Sequence, residues 1–251
     1  MNMEPVLIVI GTGAFLMALE RMIPDQKLPH VPGWWIRVIL INGIQLFAVL
    51  AGGMTWDLYF KKYSIFHLED FFGKFFSVFS AYLFITFIFY WWHRIRHDCY
   101  PLWLLFHQFH HSPSRIETIT SFYKHPLEMT VNSIFTGAVV YMLFGLEPLS
   151  GAWVTAVTGI GEFIYHMNIK TPRLMGYVFQ RPEMHRIHHE RSRHYNNFSD
   201  LPLWDMLFGT FKNPNSYEGL CGFRPEREKQ SVGMLLFKNV NNPIVNAGSK
   251  K

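Results

Sequence analysis

The chain is predicted to be an all-α integral membrane protein with four to five transmembrane or membrane-embedded helices, and three observations lead there. Hydrophobic residues make up 49% of its 251 residues and charged residues only 16%, against ~25% charge in an ordinary soluble domain. Apolar stretches of near-spanning length recur along the first two-thirds of the chain. Of 13 histidines, 11 fall between His93 and His194, beginning where one of those stretches stops. No Gly/Ser/Pro-rich linker or low-complexity run interrupts the sequence, so it reads as a single domain over residues 1–251. Within it lie a helical membrane region at 1–74, a motif-bearing region at 75–212 and a C-terminal tail at 213–251.

Taken in order, residues 6–19 form a short apolar stretch. Glu4 stands where a cleaved leader would carry positive charge, and no small-residue cleavage site follows before Glu20 and Arg21, so an uncleaved membrane helix is expected. Residues 34–56, 75–92 and 129–146 each approach the ~20 residues that cross ~30 Å of hydrocarbon. Residues 149–165 are shorter and are expected to pair with 129–146 in a hairpin turning near Glu147-Pro148. If residue 92 exits into the cytoplasm, 20 of the 23 Lys and Arg residues lie on that side, leaving Lys61, Lys62 and Lys74 opposite. The positive-inside rule favours that orientation. Both halves of the histidine set then meet at one membrane face.

The histidines fall into three clusters: His93-x3-His97, His107-x2-His110-His111 and His185-x2-His188-His189. Residues three and four apart share a helix face, so each cluster can aim two or three nitrogens in one direction. Eight imidazoles exceed the needs of one ion. Neutral imidazole suits iron, zinc, copper and nickel, and the simplest division is between two metals. Isolated His30 and His67 read instead as ordinary polar residues.

Other features exclude functions. The net charge of +5 comes with no zinc-finger spacing and no RNA-binding aromatic motif, so a nucleic-acid role is not expected. Cys99 and Cys221 cannot make a disulfide framework. The Asn197-Phe198-Ser199 sequon falls on the expected cytoplasmic side, and Gly11-Thr-Gly13 lies in an apolar helix rather than a nucleotide loop.

The order HxxxH, HxxHH, HxxHH, with the first cluster set in Tyr90-Trp-Trp-His-Arg-Ile-Arg-His97, resembles the membrane fatty acid hydroxylase/sterol desaturase superfamily. The stretch Asn197-Phe-Ser-Asp-Leu-Pro-Leu-Trp-Asp-Met-Leu-Phe-Gly-Thr-Phe211 is similar to the segment after the last cluster in those proteins, and the likeness runs from about residue 70 to 212. It implies a di-iron centre (Fe2+/Fe3+) at the cytosolic membrane face under a helical cap, with lipid reaching it between or beneath the transmembrane helices. Carried over, the metal ligands would be His93, His97, His107, His110, His111, His185, His188 and His189, with His166 as a ninth. Some relatives carry another histidine four residues before that last position; here it is Glu162, which either replaces that ligand or leaves a gap. His125, in a His-Pro-Leu-Glu stretch common in bacterial relatives, either lines the site or ends a loop, and His194 lies just after the last cluster. Glu117, Glu128, Glu183, Glu190, Asp200 and Asp205 are available to orient imidazoles, whereas Trp204-Asp205 reads as an anchor for the terminal segment.

Such a centre, given two electrons and O2, would oxidise an unactivated C–H bond of a fatty acyl, sphingoid, sterol or isoprenoid lipid to an alcohol or an alkene. The position of the substrate carbon would decide which. The chain lacks a dinucleotide fingerprint and a His-Pro-Gly-Gly haem signature. A separate electron donor is therefore implied: a cytochrome b5-like protein, a ferredoxin or a reductase. The competing readings are a histidine-rich metal transporter, whose histidines would line a path across the bilayer, and a haem protein, which needs only one or two imidazoles per iron. The short N-terminus and absence of a fused carrier point to a bacterial inner membrane rather than endoplasmic reticulum.

Overall fold

The computed structural model describes residues 3–191 and 195–240, and among these the regular structure is helical, joined by turns and loops, apart from one isolated bridge between Glu190 and Cys221. Three helices are long and apolar enough to cross a membrane. The first is α1 (Glu4–Met22). The second is α2 (Trp34–Met54), which bends at Thr55 and continues as α3 (Trp56–Lys62). The third is α4 (Leu68–Asp98), broken at Gly73, where φ is 69°. At about 1.5 Å rise per residue, the part of α4 beyond the break reaches roughly 37 Å. That exceeds the ~30 Å hydrocarbon thickness, and His93 and His97 lie on the last two turns of the helix.

Leu7, Ile10 and Phe15 on α1, Ile36, Leu40 and Phe47 on α2, and Phe71, Phe72, Phe75 and Phe76 on α4 are all exposed. An apolar belt of this extent is stable only against hydrocarbon or another apolar surface.

The fourth and fifth apolar stretches make the expected reversal, but as a splayed hairpin whose two α-helical arms pack mainly on other helices rather than on each other. Its first arm starts earlier than predicted, at Pro126, because His125 caps α6 (Pro126–Gly137) by accepting the Leu127 N–H at 3.1 Å. The arm then widens into a π-helix (Ala138–Leu143) and ends three residues earlier than expected. Gly145 turns the chain with φ 61°; a Cβ there would collide with the Phe66 carbonyl, so only glycine allows this approach. The second arm, α7 (Pro148–His166), returns to the starting end. There Ser121 donates to the Glu162 carbonyl at 3.1 Å, and the Phe122 and Phe163 rings meet at 5.1 Å.

α1 and α4 pack on α7, and α2 packs on α6. Buried Ala81 and Ile85 of α4 join Val140, Leu146 and Val154 in one core cluster. A second cluster ties Trp34, Val38 and Ile41 of α2 to Phe109, Tyr123, Phe223 and Met234, fastening the polar cap onto the membrane helices. At that same end Glu20 accepts from the Thr118 and Asn168 backbone N–H groups, each at 2.9 Å. Lys61 pairs with Glu147 at 3.0 Å at the opposite end.

Candidate metal centre

Four helical pieces converge at the polar end of the bundle. His93 and His97 sit one turn apart on the last stretch of α4. After the short α5 (Tyr100–Leu102), a π turn (Trp103–His107) places His107, and the following turn carries His110 and His111. Single-turn π segments recur at functional sites because the wider turn re-aims its side chains. His166 closes α7. α8 (Pro182–His188) carries His185 and His188, with His189 as its C-cap.

The nine rings sort into two groups by ring-nitrogen distance. His93, His97, His107, His111 and His188 present nitrogens within 4.8 Å of one another, and His110, His166, His185 and His189 do the same. His111 and His189 stack at the seam, with ring centroids 4.2 Å apart and planes 17° apart. Within the groups, facing Nε2 atoms lie 3.2 Å apart for His107 and His111, 3.1 Å for His111 and His188, 3.1 Å for His166 and His185, and 3.0 Å for His185 and His189. Two imidazole nitrogens ~2.1 Å from one ion at right angles would be separated by about 3.0 Å. The spacing therefore fits neighbouring positions on a shared cation.

Tautomers support the same reading. His93 Nδ1 lies 2.7 Å from the Phe198 carbonyl, His188 Nδ1 2.8 Å from that of Asn196, His166 Nδ1 2.8 Å from that of Glu162, and His110 Nδ1 3.3 Å from that of Tyr123. A carbonyl only accepts, so each Nδ1 carries the proton and each Nε2 faces inward as a bare lone pair. His93 Nε2 is buried without a hydrogen-bond partner. Buried polar atoms are rarely left so, and a cation is the natural partner for several converging lone pairs.

His107 is oriented by charge instead. Glu128 Oε1 pairs with Arg96 and lies 3.2 Å from His107 Nδ1, which is also 2.9 Å from Arg96 Nη1. A guanidinium only donates, so a proton on Nδ1 and an Arg96 bond to Nδ1 exclude each other; a cation on Nε2 would select the Nδ1 proton and its donation to the carboxylate. The Gln180 amide stands 2.7 Å from His185 Nδ1, a neighbour that no sequence pattern identifies.

Burial, followed by the charges of neighbouring rings and nearby cations, holds His107, His110 and His185 well below the usual histidine pKa. These rings stay neutral when folded yet take up protons when unfolded below about pH 6.5, so the unfolded state binds more protons there. Stability from this source is complete above pH 6.5 and falls as pH drops, by up to ~1.4 kcal/mol per pH unit for each ring. The melting temperature in detergent is therefore expected to fall steeply from pH 7.5 to 5.5. An unchanged or rising value would contradict neutral buried rings.

The remaining sequence-predicted residues are placed elsewhere. His125 caps α6, with its Nε2 3.3 Å from the Leu235 carbonyl, so of its two readings the loop-ending one describes it. His194 lies outside the described residues. His30 and His67 are exposed and belong to neither group. Glu162 pairs with Lys124 and is in neither group.

Of the six acidic residues considered as imidazole partners, Glu128 alone has a described contact with a clustered ring. Glu117 binds Arg21, Arg115 and the Trp34 indole, and Glu183 binds Thr171 and Arg181. Glu190 makes the bridge to Cys221, and Asp200, pushed up to about 7 by burial, is hydrogen-bonded by Tyr165.

Asp205 accepts from the Phe198 and Ser199 backbone N–H groups at 2.8 and 3.1 Å and from Thr210 Oγ1 at 2.6 Å. On the same helix, α9 (Pro202–Leu207), Trp204 donates to Thr86 Oγ1 at 2.9 Å. The pair is thus an anchor, and what it anchors is the loop whose Phe198 carbonyl orients His93.

Comparison with known proteins agrees with this geometry. An ornithine lipid hydroxylase of Rhizobium tropici is 33% identical over 127 residues, covering 49% of this chain and 38% of its own length. An alkylglycerol monooxygenase of Homo sapiens is 32% identical over 146 residues, covering 55% and 31%. A very-long-chain aldehyde decarbonylase of Oryza sativa is 29% identical over 147 residues, covering 50% and 21%. The chain thus spans well under half the length of these relatives, and no solved structure matches it. The sequence pattern of the fatty acid hydroxylase family matches residues 78–210, more than half of the chain and a segment that encloses all nine histidines; the chain belongs to that family.

Proposed function

We propose that the protein is a membrane-bound, O2-dependent di-iron oxidoreductase that hydroxylates or desaturates an unactivated C–H position of a lipid. The observation that carries this reading is the sorting of nine buried or half-buried histidines into groups of five and four, with facing nitrogens at the spacing of neighbouring positions on one ion. The nine are the proposed ligands: His93, His97, His107, His111 and His188 for one iron, and His110, His166, His185 and His189 for the other. An iron pair would supply two-electron oxidation of a C–H bond with O2.

The chain's own contribution is geometric and electrostatic. Carbonyls of Phe198, Asn196, Glu162 and Tyr123, and the Glu128 carboxylate, hold the protons on Nδ1 and keep the opposite nitrogens directed inward. Nearly complete burial of seven of the nine rings excludes water from the reacting region. The relatives are named for a lipid, an alkylglycerol and a very-long-chain aldehyde, which favours a lipid whose chain enters from the bilayer. The sequence distribution of Lys and Arg, 20 of 23 on the side expected to carry the histidines, favours a cytoplasmic active site. The membrane is proposed to be a bacterial inner membrane, and the electrons to come from a separate cytochrome b5-like protein, ferredoxin or reductase.

Gathering of the histidines at one end of the bundle weighs against a transport path. Their number weighs against haem.

Untargeted lipidomics of cells with and without the protein is expected to show a lipid gaining one oxygen atom or losing two hydrogens. His110→Ala, which removes a ring held by the Tyr123 carbonyl, is expected to abolish that change while the protein still inserts. A Soret band in the purified protein, or full activity of His110→Ala with both irons bound, would sink this reading.

A further inference from the structure

We propose that Glu162 is not a metal ligand but half of a buried ion pair with Lys124 that positions two ligands of the four-histidine group; this rests on the metal-centre reading above. The sequence alone leaves Glu162 as either a substitute ligand or a gap. Lys124 Nζ meets Glu162 Oε2, with the two side chains only 10% and 15% exposed. Residue 124 directly follows Tyr123, whose carbonyl holds His110 Nδ1, and the carbonyl of Glu162 itself holds His166 Nδ1 at 2.8 Å. The pair therefore joins the two backbone segments that set the aim of two rings. Ser121 Oγ on the Glu162 carbonyl and the Phe122–Phe163 contact join the same segments without charge.

Electrostatics give the pair a second role. Its ammonium acts electrostatically on His110 and His166 of the four-histidine group, where an unpaired cation would oppose a bound metal. The Glu162 carboxylate cancels that charge at contact distance, in surroundings that screen it poorly. The five-histidine group has a counterpart in Arg96 and Glu128, but there both members of the pair also lie within hydrogen-bond distance of a ring nitrogen, His107 Nδ1. The two groups thus differ in how their rings are held as well as in number.

The test is titration of the metal-free, detergent-purified full chain with ferrous iron under anaerobic conditions, with bound metal measured by mass spectrometry. Outer-shell changes of this kind cost ~10- to 100-fold in metal affinity. Glu162→Gln and Lys124→Met are each expected to weaken one of two binding events by that factor and to leave the other unchanged. Lys124→Arg is expected to retain both events, and the swap Lys124→Glu with Glu162→Lys to recover most of the loss. Normal binding of both irons by Lys124→Met while Glu162→Gln loses one would make Glu162 a ligand and overturn the proposal. So would wild-type affinity in both single variants, or loss of both irons with a collapsed melting transition in Lys124→Arg. A parent protein that binds no iron overturns the metal-centre reading itself and the clamp with it.

Discussion

His111→Ala is expected to abolish lipid oxidation and to release metal from the five-histidine group. The ring lies at the seam: its Nε2 is 3.2 Å from that of His107 and 3.1 Å from that of His188, while its face stacks on His189 of the other group. Removing it takes one nitrogen from the first group and leaves a methyl-sized side chain against the second. A bound metal contributes several kcal/mol of transition-state stabilisation, and each 1.36 kcal/mol is tenfold in rate, so the loss is on the order of 10³-fold or more. Product formation and metal content measured on one preparation decide it. Full turnover with an undiminished metal load would refute the assignment. The protein is expected to remain helical and membrane-inserted, because the exposed apolar lengths of α1, α2 and α4 are sequence properties that the substitution leaves unchanged.

Glu128→Ala is expected to act on the fold first. Arg96 and Glu128 have side chains only 4% and 1% exposed, and Arg96 has besides them the Trp92 carbonyl at 3.2 Å. Deleting one member of such a pair strands a charge out of water and costs about 3–5 kcal/mol. Against the ~5–15 kcal/mol that holds an ordinary domain together, that is a large fraction. A melting temperature several degrees lower in detergent and poor accumulation are the expected results; a melting curve superimposable on the parent's would contradict the buried pair. Replacing both residues with Met removes the stranded charge, so stability is expected to recover substantially. Iron affinity of the five-histidine group is still expected to fall, because His107 Nδ1 has lost its acceptor. The single and double variants therefore separate the residue's part in folding from its part in aiming His107.

Much of the site was legible because helical spacing is a local property. His93 and His97, or His185 and His189, must share a face wherever a helix forms, so both the clusters and the idea of two metals come from position along the chain. His166 was reachable only through family resemblance, since a lone histidine at a helix end carries no spacing signal. The two-group assignment was not legible at all. Neighbours in sequence separate, with His110 in one group and His111 in the other, and likewise His188 and His189. Adjacent residues on a helix point about 100° apart, so a doublet straddling two sites divides between them.

The orienting shell departed furthest from expectation. Metal-bound histidines commonly give their second proton to a carboxylate or a carbonyl, and six acidic residues stood near the clusters in sequence. Backbone carbonyls of Phe198, Asn196, Glu162 and Tyr123 hold four of the nine rings instead. Any residue supplies a carbonyl, so composition cannot mark them. The acids were spent on loops and cations: Asp205 on the Phe198 and Ser199 amides, Glu183 on Thr171, and Glu117 on Arg21 and Arg115.

From the residues in order came membrane character, helical class, the hairpin near Glu147-Pro148 and the identity of the clustered histidines, because hydropathy and helical periodicity are summed over neighbours along the chain. How the histidines divide into two groups, what holds each ring, and the pairing of Glu162 with Lys124 depend on contacts between segments tens of residues apart. Those are set by how α4, α7 and the cap pack against one another, and only the folded molecule contains them.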